Sequence, residues 1–179
     1  MNNIVLCGFM GCGKTTVGIE LAHSLNYKFV DMDEYIVYKT GISIADIFLK
    51  LGEAQFRVIE TEAAAYLSQK DNLVISTGGG AVLKAENVKL FKSGGLIVFI
   101  DVPLSIIKER LQGDLTRPLL NRLDRDVAIF ELYNQRTPIY IASADIIVKN
   151  IQNLSALEMV SEITKNLKHQ SHENFLDIL

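Results

Sequence analysis

Gly8-Phe9-Met10-Gly11-Cys12-Gly13-Lys14-Thr15 has the residue types and spacing of a phosphate-binding loop, G-x-x-x-x-G-K-[ST]. Glycines let the backbone turn with positive φ and approach a ligand closely. Successive N–H groups, among them those of Gly11, Cys12 and Gly13, can then face phosphate oxygens at the positive end of the following helix. In such a loop Lys14 reaches the β- and γ-phosphates and the Thr15 hydroxyl ligates Mg²⁺. Thr16 continues the helix start and is a candidate contact to the α-phosphate. The motif points to a nucleoside triphosphate and leaves the reaction open.

Other stretches hold polar groups where an acceptor could bind. Phe29-Val30-Asp31-Met32-Asp33 reads as a short strand ending in two carboxylates. In an open parallel sheet ligands bind beyond the carboxyl ends of strands, and alternation puts Asp31 and Asp33 on one side. The competing reading is helix capping, which Asp33 could do alone. Arg57 and Glu60, three apart on a helical pattern, are either a surface ion pair or an arginine aimed at a ligand and oriented by Glu60. Leu73–Ser76 is an apolar run followed by Thr77-Gly78-Gly79-Gly80, backbone suited to close approach by a ligand. Asp101 ends another apolar run and resembles a Walker B carboxylate; spacing alone does not choose between it and Asp31 as the magnesium partner. Arg117 lies in a polar, helix-breaking segment that could close over a site, exclude water and neutralise a transferring phosphoryl group. Arg136 precedes Pro138, which predicts a kink or break near Thr137. It would project either into a cleft or into solvent.

The elements that must position these residues are apolar runs separated by helical patterns. Strands are expected at Ile4–Cys7, Phe29–Asp31, Leu73–Ser76, Leu96–Asp101 and Asp145–Val148, and without clean alternation they suit a sheet buried on both faces. Helices between strands imply βαβ units and a parallel sheet. A helix is expected from Lys14 to about Leu25, a long one from about Ser43 to Leu67 interrupted near Gly52, and another from about Asp126 to Ala142. The last strand and the helix around Leu154, Leu157, Val160, Ile163 and Leu167 read as structural. The tail after Lys168 carries no motif.

The chain has 179 residues, 49% hydrophobic and 22% charged, with a net charge of −3. That is one globular domain with no broad basic surface for nucleic acid or membrane. Its two cysteines, Cys7 and Cys12, fall in one motif and imply no disulfide framework. Cys7 is expected to pack as a small apolar residue, and Cys12 to be passive. The N-terminal apolar run is short and lacks a basic flank, so no signal peptide is expected, and no run approaches the roughly 20 residues of a membrane span. A cytoplasmic protein is expected. The three histidines, His23, His169 and His172, read as solvated.

Together these motifs resemble the shikimate kinases, small P-loop kinases of aromatic amino-acid biosynthesis. The matching pieces are G-F-M-G-C-G-K-T at 8–15, D-M-D at 31–33, G-E-A-Q-F-R-V-I-E at 52–60, T-G-G-G at 77–80, R-P-L-L at 117–120 and R-T-P-I-Y at 136–140. The resemblance implies an α/β fold of the P-loop NTPase type, three-layered α/β/α, with a parallel sheet of about five strands, similar to nucleoside monophosphate kinases. It implies one kinase domain over 1–168, with an acceptor-binding segment at about 32–60 and a lid at about 112–124, followed by the tail 169–179. The implied reaction is MgATP-dependent phosphorylation of the 3-hydroxyl of shikimate.

By the same resemblance Asp33 would bind the acceptor hydroxyls and serve as candidate base. Arg57 and Arg136 would clamp the shikimate carboxylate beside Gly78, Gly79 and Gly80, and Glu60 would orient Arg57. Arg117 would cover the ATP phosphates from the lid and join Lys14 and Asp33 in catalysis, Arg110 would lie near the adenine, and Asp31, through water, would support Mg²⁺ beside Thr15. The family commonly has serine where this chain has Thr15; both hydroxyls can bind magnesium. A monomer is implied. A gluconate kinase relative should lack the Arg57/Arg136 clamp. A GTPase-like switch should carry D-x-x-G and N-K-x-D motifs, and the chain has neither. Intact Lys14, Asp33, Arg57 and Arg117 argue against a silent homologue.

Overall fold

The computed structural model describes residues 3–113 and 124–176, with 171–176 described by backbone alone. Five strands form one parallel sheet: β1 (Asn3–Cys7), β2 (Lys28–Asp31), β3 (Leu73–Ser76), β4 (Gly95–Asp101) and β5 (Ile146–Lys149), in the order β2-β3-β1-β4-β5. Every residue of β1 and β3 is buried, as apolar runs covered on both faces require. The helices are α1 (Lys14–Leu25), α2 (Met32–Thr40), α3 (Ile44–Ser68), α4 (Ala85–Gly94), α5 (Leu104–Arg110), α6 (Arg125–Ser143) and α7 (Ala156–Leu176). α1 packs beside α7 and against β2 and β3, whereas α3 packs on α4, and α4 and α6 cover β4. α7 continues past Lys168 to Leu176.

The order places β1 between β3 and β4, so the loop after β1 opens at the carboxyl edge between two neighbours. Asp31 and Ser76 are register partners at that edge, and Leu6 pairs with Ser76. The two carboxyl ends that matter are therefore brought beside the phosphate loop by hydrogen-bond register.

Two local expectations need correction. Alternation along an extended chain does not relate Asp31 to Asp33, because the strand stops at Asp31 and α2 begins at Met32. Asp31, not Asp33, caps that helix: its Oδ1 accepts from the Asp33 and Glu34 N–H groups at 3.0 and 3.4 Å. The break expected near Thr137 is absent. α6 runs through Pro138, and the Thr137 hydroxyl bonds back to the Tyr133 carbonyl at 2.7 Å. By contrast α3 does break at Gly52, whose φ of 82° and ψ of 166° leave the helical region.

The packing of α3 on α4 depends on a small residue. A Cβ built on Gly94 would lie 2.3 Å from the backbone oxygen of Ser68. Gly94→Ala should therefore force the two helix ends apart, at about 1–3 kcal/mol for overpacking. In a chain of this size that is a fall in Tm of roughly 3–10 °C, checked by thermal denaturation.

Candidate active site

The phosphate loop leaves β1 at Gly8 and enters α1 at Lys14. Gly11 and Gly13 hold φ of 78° and 95°, values that L side chains rarely adopt. Lys14 is buried and folds back under the loop, its ammonium donating to the carbonyls of Gly8 (2.9 Å) and Phe9 (3.1 Å). It also lies 3.7 Å from the Cys12 sulfur. Both cysteines are buried and free, and burial pushes the Cys7 thiol up to about 12.

A cavity of about 690 Å³ opens over this loop. Gly11, Cys12, Gly13, Lys14, Thr15 and Thr16 form one wall, and Asp31, Asp33, Gly78 and Gly79 face them. At the junction, Asp31 Oδ2 accepts from the Thr15 hydroxyl at 3.0 Å and from the Ser76 hydroxyl at 3.2 Å. A hydroxyl and a carboxylate so disposed are hard oxygen donors, the kind that holds Mg²⁺ together with phosphates and water. Asp101 does not line this cavity. It ends β4, on the far side of β1, with Lys149 of β5 as register partner, and its carboxyl is raised above the ordinary value by burial.

Beyond Asp33 lies a group of four charges. Asp33 and Glu60 flank Gly78: a Cβ built there would lie 3.0 Å from Asp33 Oδ1 and 3.3 Å from Glu60 Oε1. Arg57 donates to Glu60 Oε2 at 2.8 Å and, one turn back, to Glu53 Oε1 at 2.9 Å. Glu60 is 1% exposed whereas Glu53 is 55% exposed, so the Glu60 pair is the desolvated one. Burial raises the Glu60 carboxyl, Arg57 pulls it back, and Asp33 raises it further. Arg136, on α6, is 5% exposed and donates to the Gly79 carbonyl at 3.4 Å, leaving its buried Nε with no partner among the described residues. Gly80 faces Arg57 so closely that an added Cβ would stand 2.5 Å from Nη1. The triple-glycine turn thus lets both arginines and both carboxylates converge. Its far end is held by the one-turn 3₁₀ helix Ala81–Leu83, whose Ala81 carbonyl accepts from Asn87 at 2.8 Å.

At the opposite end of the cavity Arg110 donates to the Gly11 carbonyl (3.2 Å) and to Asn153 Oδ1 (2.6 Å). Asn150, Leu154, Ser155 and Ala156 complete that wall. Leu154, read as structural, therefore also borders the cavity. The turn is tied down by Asn150, which bonds Leu154 in both directions, and by a reciprocal cap between Ser155 and Glu158. The S-x-x-E spacing was the available signal for the cap; nothing in the residue types marked a cavity wall. Arg117 and most of the expected lid lie outside the described residues.

Comparison with known proteins agrees with this geometry. The family model for shikimate kinase matches residues 10–168. A shikimate kinase from Thermodesulfovibrio yellowstonii is 41% identical, the match covering 96% of this chain and 98% of the relative. Among solved structures, the shikimate kinase of Acinetobacter baumannii in complex with shikimate superposes with a TM-score of 0.90 at 35% identity, covering 95% of this chain and 94% of that one. The Aquifex aeolicus enzyme gives a TM-score of 0.79 at 42% identity, covering 94% of this chain and 98% of that one. The match runs from inside the phosphate loop through the carboxylate and arginine pairs to α7, and the chain belongs to the shikimate kinase family.

Proposed function

We propose that this chain transfers the γ-phosphoryl group of ATP to the 3-hydroxyl of shikimate, giving shikimate 3-phosphate and ADP. The observation that carries this reading is the convergence of Asp33, Arg57 and Arg136 on the triple-glycine turn, whose Gly78 and Gly79 line the same cavity as Lys14. The donor and acceptor halves are each complete in chemical type. The phosphate loop offers N–H groups, an ammonium and a hydroxyl to phosphate oxygens. The facing half offers two guanidinium groups to a carboxylate and a carboxylate to hydroxyls.

In this reading Thr15 and Asp31 hold Mg²⁺ with the ATP phosphates, Asp31 through water; the bound ion neutralises phosphate charge. Thr16 and Arg110 hold the nucleotide, with its base against the turn from Asn150 to Ala156. Arg57 and Arg136 fix the shikimate carboxylate, and Gly78, Gly79 and Gly80 let it approach. Asp33 accepts hydrogen bonds from the ring hydroxyls and takes the proton of the reacting one. Lys14 steadies the negative charge of the transferring group. The chain acts as a monomer organised as a single kinase domain over about 1–168. Two buried free thiols suit the cytoplasm, and among the described residues no helix is long and apolar enough to cross a membrane.

The reading is tested by coupling ADP release to a panel of MgATP with shikimate, gluconate and nucleoside monophosphates. Shikimate-dependent turnover is expected, and its absence would refute the assignment. Arg57→Ala sharpens the test. It should raise the shikimate KM about 30- to 100-fold, the loss of a charge-assisted bidentate contact, while the ATP KM stays within about twofold. Equal loss for both substrates would make Arg57 a structural partner of Glu60 only.

A further inference from the structure

We propose that Tyr140 is a positioning residue for the acceptor, its buried hydroxyl tying the Gly79 carbonyl to α6 and so setting where the acceptor turn stands against the phosphate loop. The proposal rests on the assignment of Arg136 and the glycine turn to the acceptor side. Tyr140 is fully buried and donates to the Gly79 oxygen. Arg136, one helical turn earlier on the same face, donates to that same oxygen. One carbonyl is therefore gripped by two donors from one helix. Burial raises the phenol above its ordinary value and Arg136 pulls the other way, so the hydroxyl keeps its proton at neutral pH.

The remaining neighbours of Gly79 lie in the phosphate loop and on α6. A Cβ built on it would meet Met10 N at 3.6 Å, Gly8 O at 3.7 Å and Arg136 Nη1 at 3.7 Å. The residue is wedged between the phosphate loop and the arginine, with ordinary contact on both sides. The peptide joining Gly79 to Gly80 is planar and trans, so its oxygen and the Gly80 N–H point in opposite directions. Holding the oxygen against α6 turns that N–H away from α6. Without the phenol, Arg136 becomes the only one of the two α6 donors left on this oxygen. The guanidinium then carries the turn alone and must tilt toward it, away from an incoming carboxylate. The phenyl ring has a separate packing role, with its centroid 5.3 Å from that of Phe99, and removal of the hydroxyl alone leaves it in place.

Tyr140→Phe separates the two roles. In the enzyme assayed with MgATP and shikimate, the shikimate KM should rise about five- to tenfold, the usual consequence of losing one buried hydrogen bond. The ATP KM should stay within about twofold, and kcat at saturating shikimate within about threefold. A double-mutant cycle with Arg136→Lys should be non-additive in kcat/KM for shikimate, because the two side chains share one acceptor. Additive effects, an unchanged shikimate KM, or equal loss for ATP and shikimate would each overturn the proposal. 4-Fluorophenylalanine at position 140 fills the hydroxyl's volume without a donor and serves if Tyr140→Phe does not fold; failure of both to fold would make the hydroxyl structural and also overturn it. Wild-type enzyme run alongside keeps the outcomes apart. Absence of shikimate turnover there refutes the activity, whereas normal wild-type turnover with an indifferent Tyr140→Phe refutes only the positioning role.

Discussion

Lys14→Met should lower kcat about 10³-fold while the protein stays folded. The ammonium lies beneath a loop whose glycines admit phosphate oxygens, and it bonds the carbonyls of Gly8 and Phe9 at 2.9 and 3.1 Å. Those bonds hold the charge in place before substrate arrives. A preorganised donor aimed at developing charge in a water-poor site is worth about 10²–10³ in kcat. Phosphoryl transfer leans on such donors more than most reactions, since positioning and charge neutralisation are nearly all the protein supplies. Methionine keeps the length and apolar stem of lysine and removes a buried cation. The two carbonyls lose a donor, so Tm should shift by only a few degrees. Kinetics at saturating MgATP and shikimate, with thermal denaturation alongside, check both halves. A kcat within tenfold of wild type would remove Lys14 from the transition state.

The fold was legible because its strands are short apolar runs, each bounded by a chemically obvious feature. Leu6 and Cys7 run into glycine, Val30 into aspartate, Ser76 into Thr77 and three glycines. Spacing could not decide which aspartate partners Thr15, because Asp31 and Asp101 both end apolar strands. Strand order alone would not decide it either, since β4 lies next to β1 and β2 one strand away; the side chains do, because the Thr15 hydroxyl donates to Asp31 and Asp101 does not line the cavity. The Arg57–Glu60 spacing was equally ambiguous. Burial removes the surface reading, since a carboxylate 1% exposed is no surface partner.

What stayed illegible follows from chemistry without periodicity. Asp31 caps α2 with one oxygen and meets Thr15 and Ser76 with the other. A residue serving two purposes leaves a pattern for neither. Tyr140 looks like an apolar position on the inner face of α6, and its hydroxyl matters only because a distant turn brings a carbonyl to it. The wall formed by Asn150, Leu154, Ser155 and Ala156 is made of residue types common in any turn. Of the kink or break that Pro138 predicts, the break does not occur: α6 continues through it, and Arg136 and Tyr140 lie one turn apart across it.

Asp33→Asn should separate base from scaffold. Asp33 lies in the first turn of α2, its own N–H held by Asp31, beside Gly78 and close enough to Glu60 to raise that carboxyl. Asparagine keeps size and one acceptor oxygen but cannot take a proton at neutral pH. If proton transfer to Asp33 accompanies phosphoryl transfer, kcat should fall about 10²–10⁴-fold while the shikimate Kd, read by calorimetry, changes less than about tenfold. Stability is read alongside by thermal denaturation. The substitution removes a negative charge facing Glu60, so the Glu60 carboxyl should move back toward its ordinary value. It also removes a first-turn carboxylate that the α2 dipole favours, so Tm should shift by no more than a few degrees. A large loss of kcat in an equally stable protein therefore cannot be assigned to unfolding. The loose transition state supplies the opposing outcome: if the hydroxyl keeps its proton until late, the carboxylate matters for orientation, and the loss should then appear in Kd with kcat nearly intact. Asp33→Glu discriminates further. It retains a base one methylene longer, which carries the carboxylate past its place beside Gly78. Partial recovery of kcat with a raised shikimate KM is expected from a base displaced along the acceptor turn, and no recovery from a carboxylate whose position is everything.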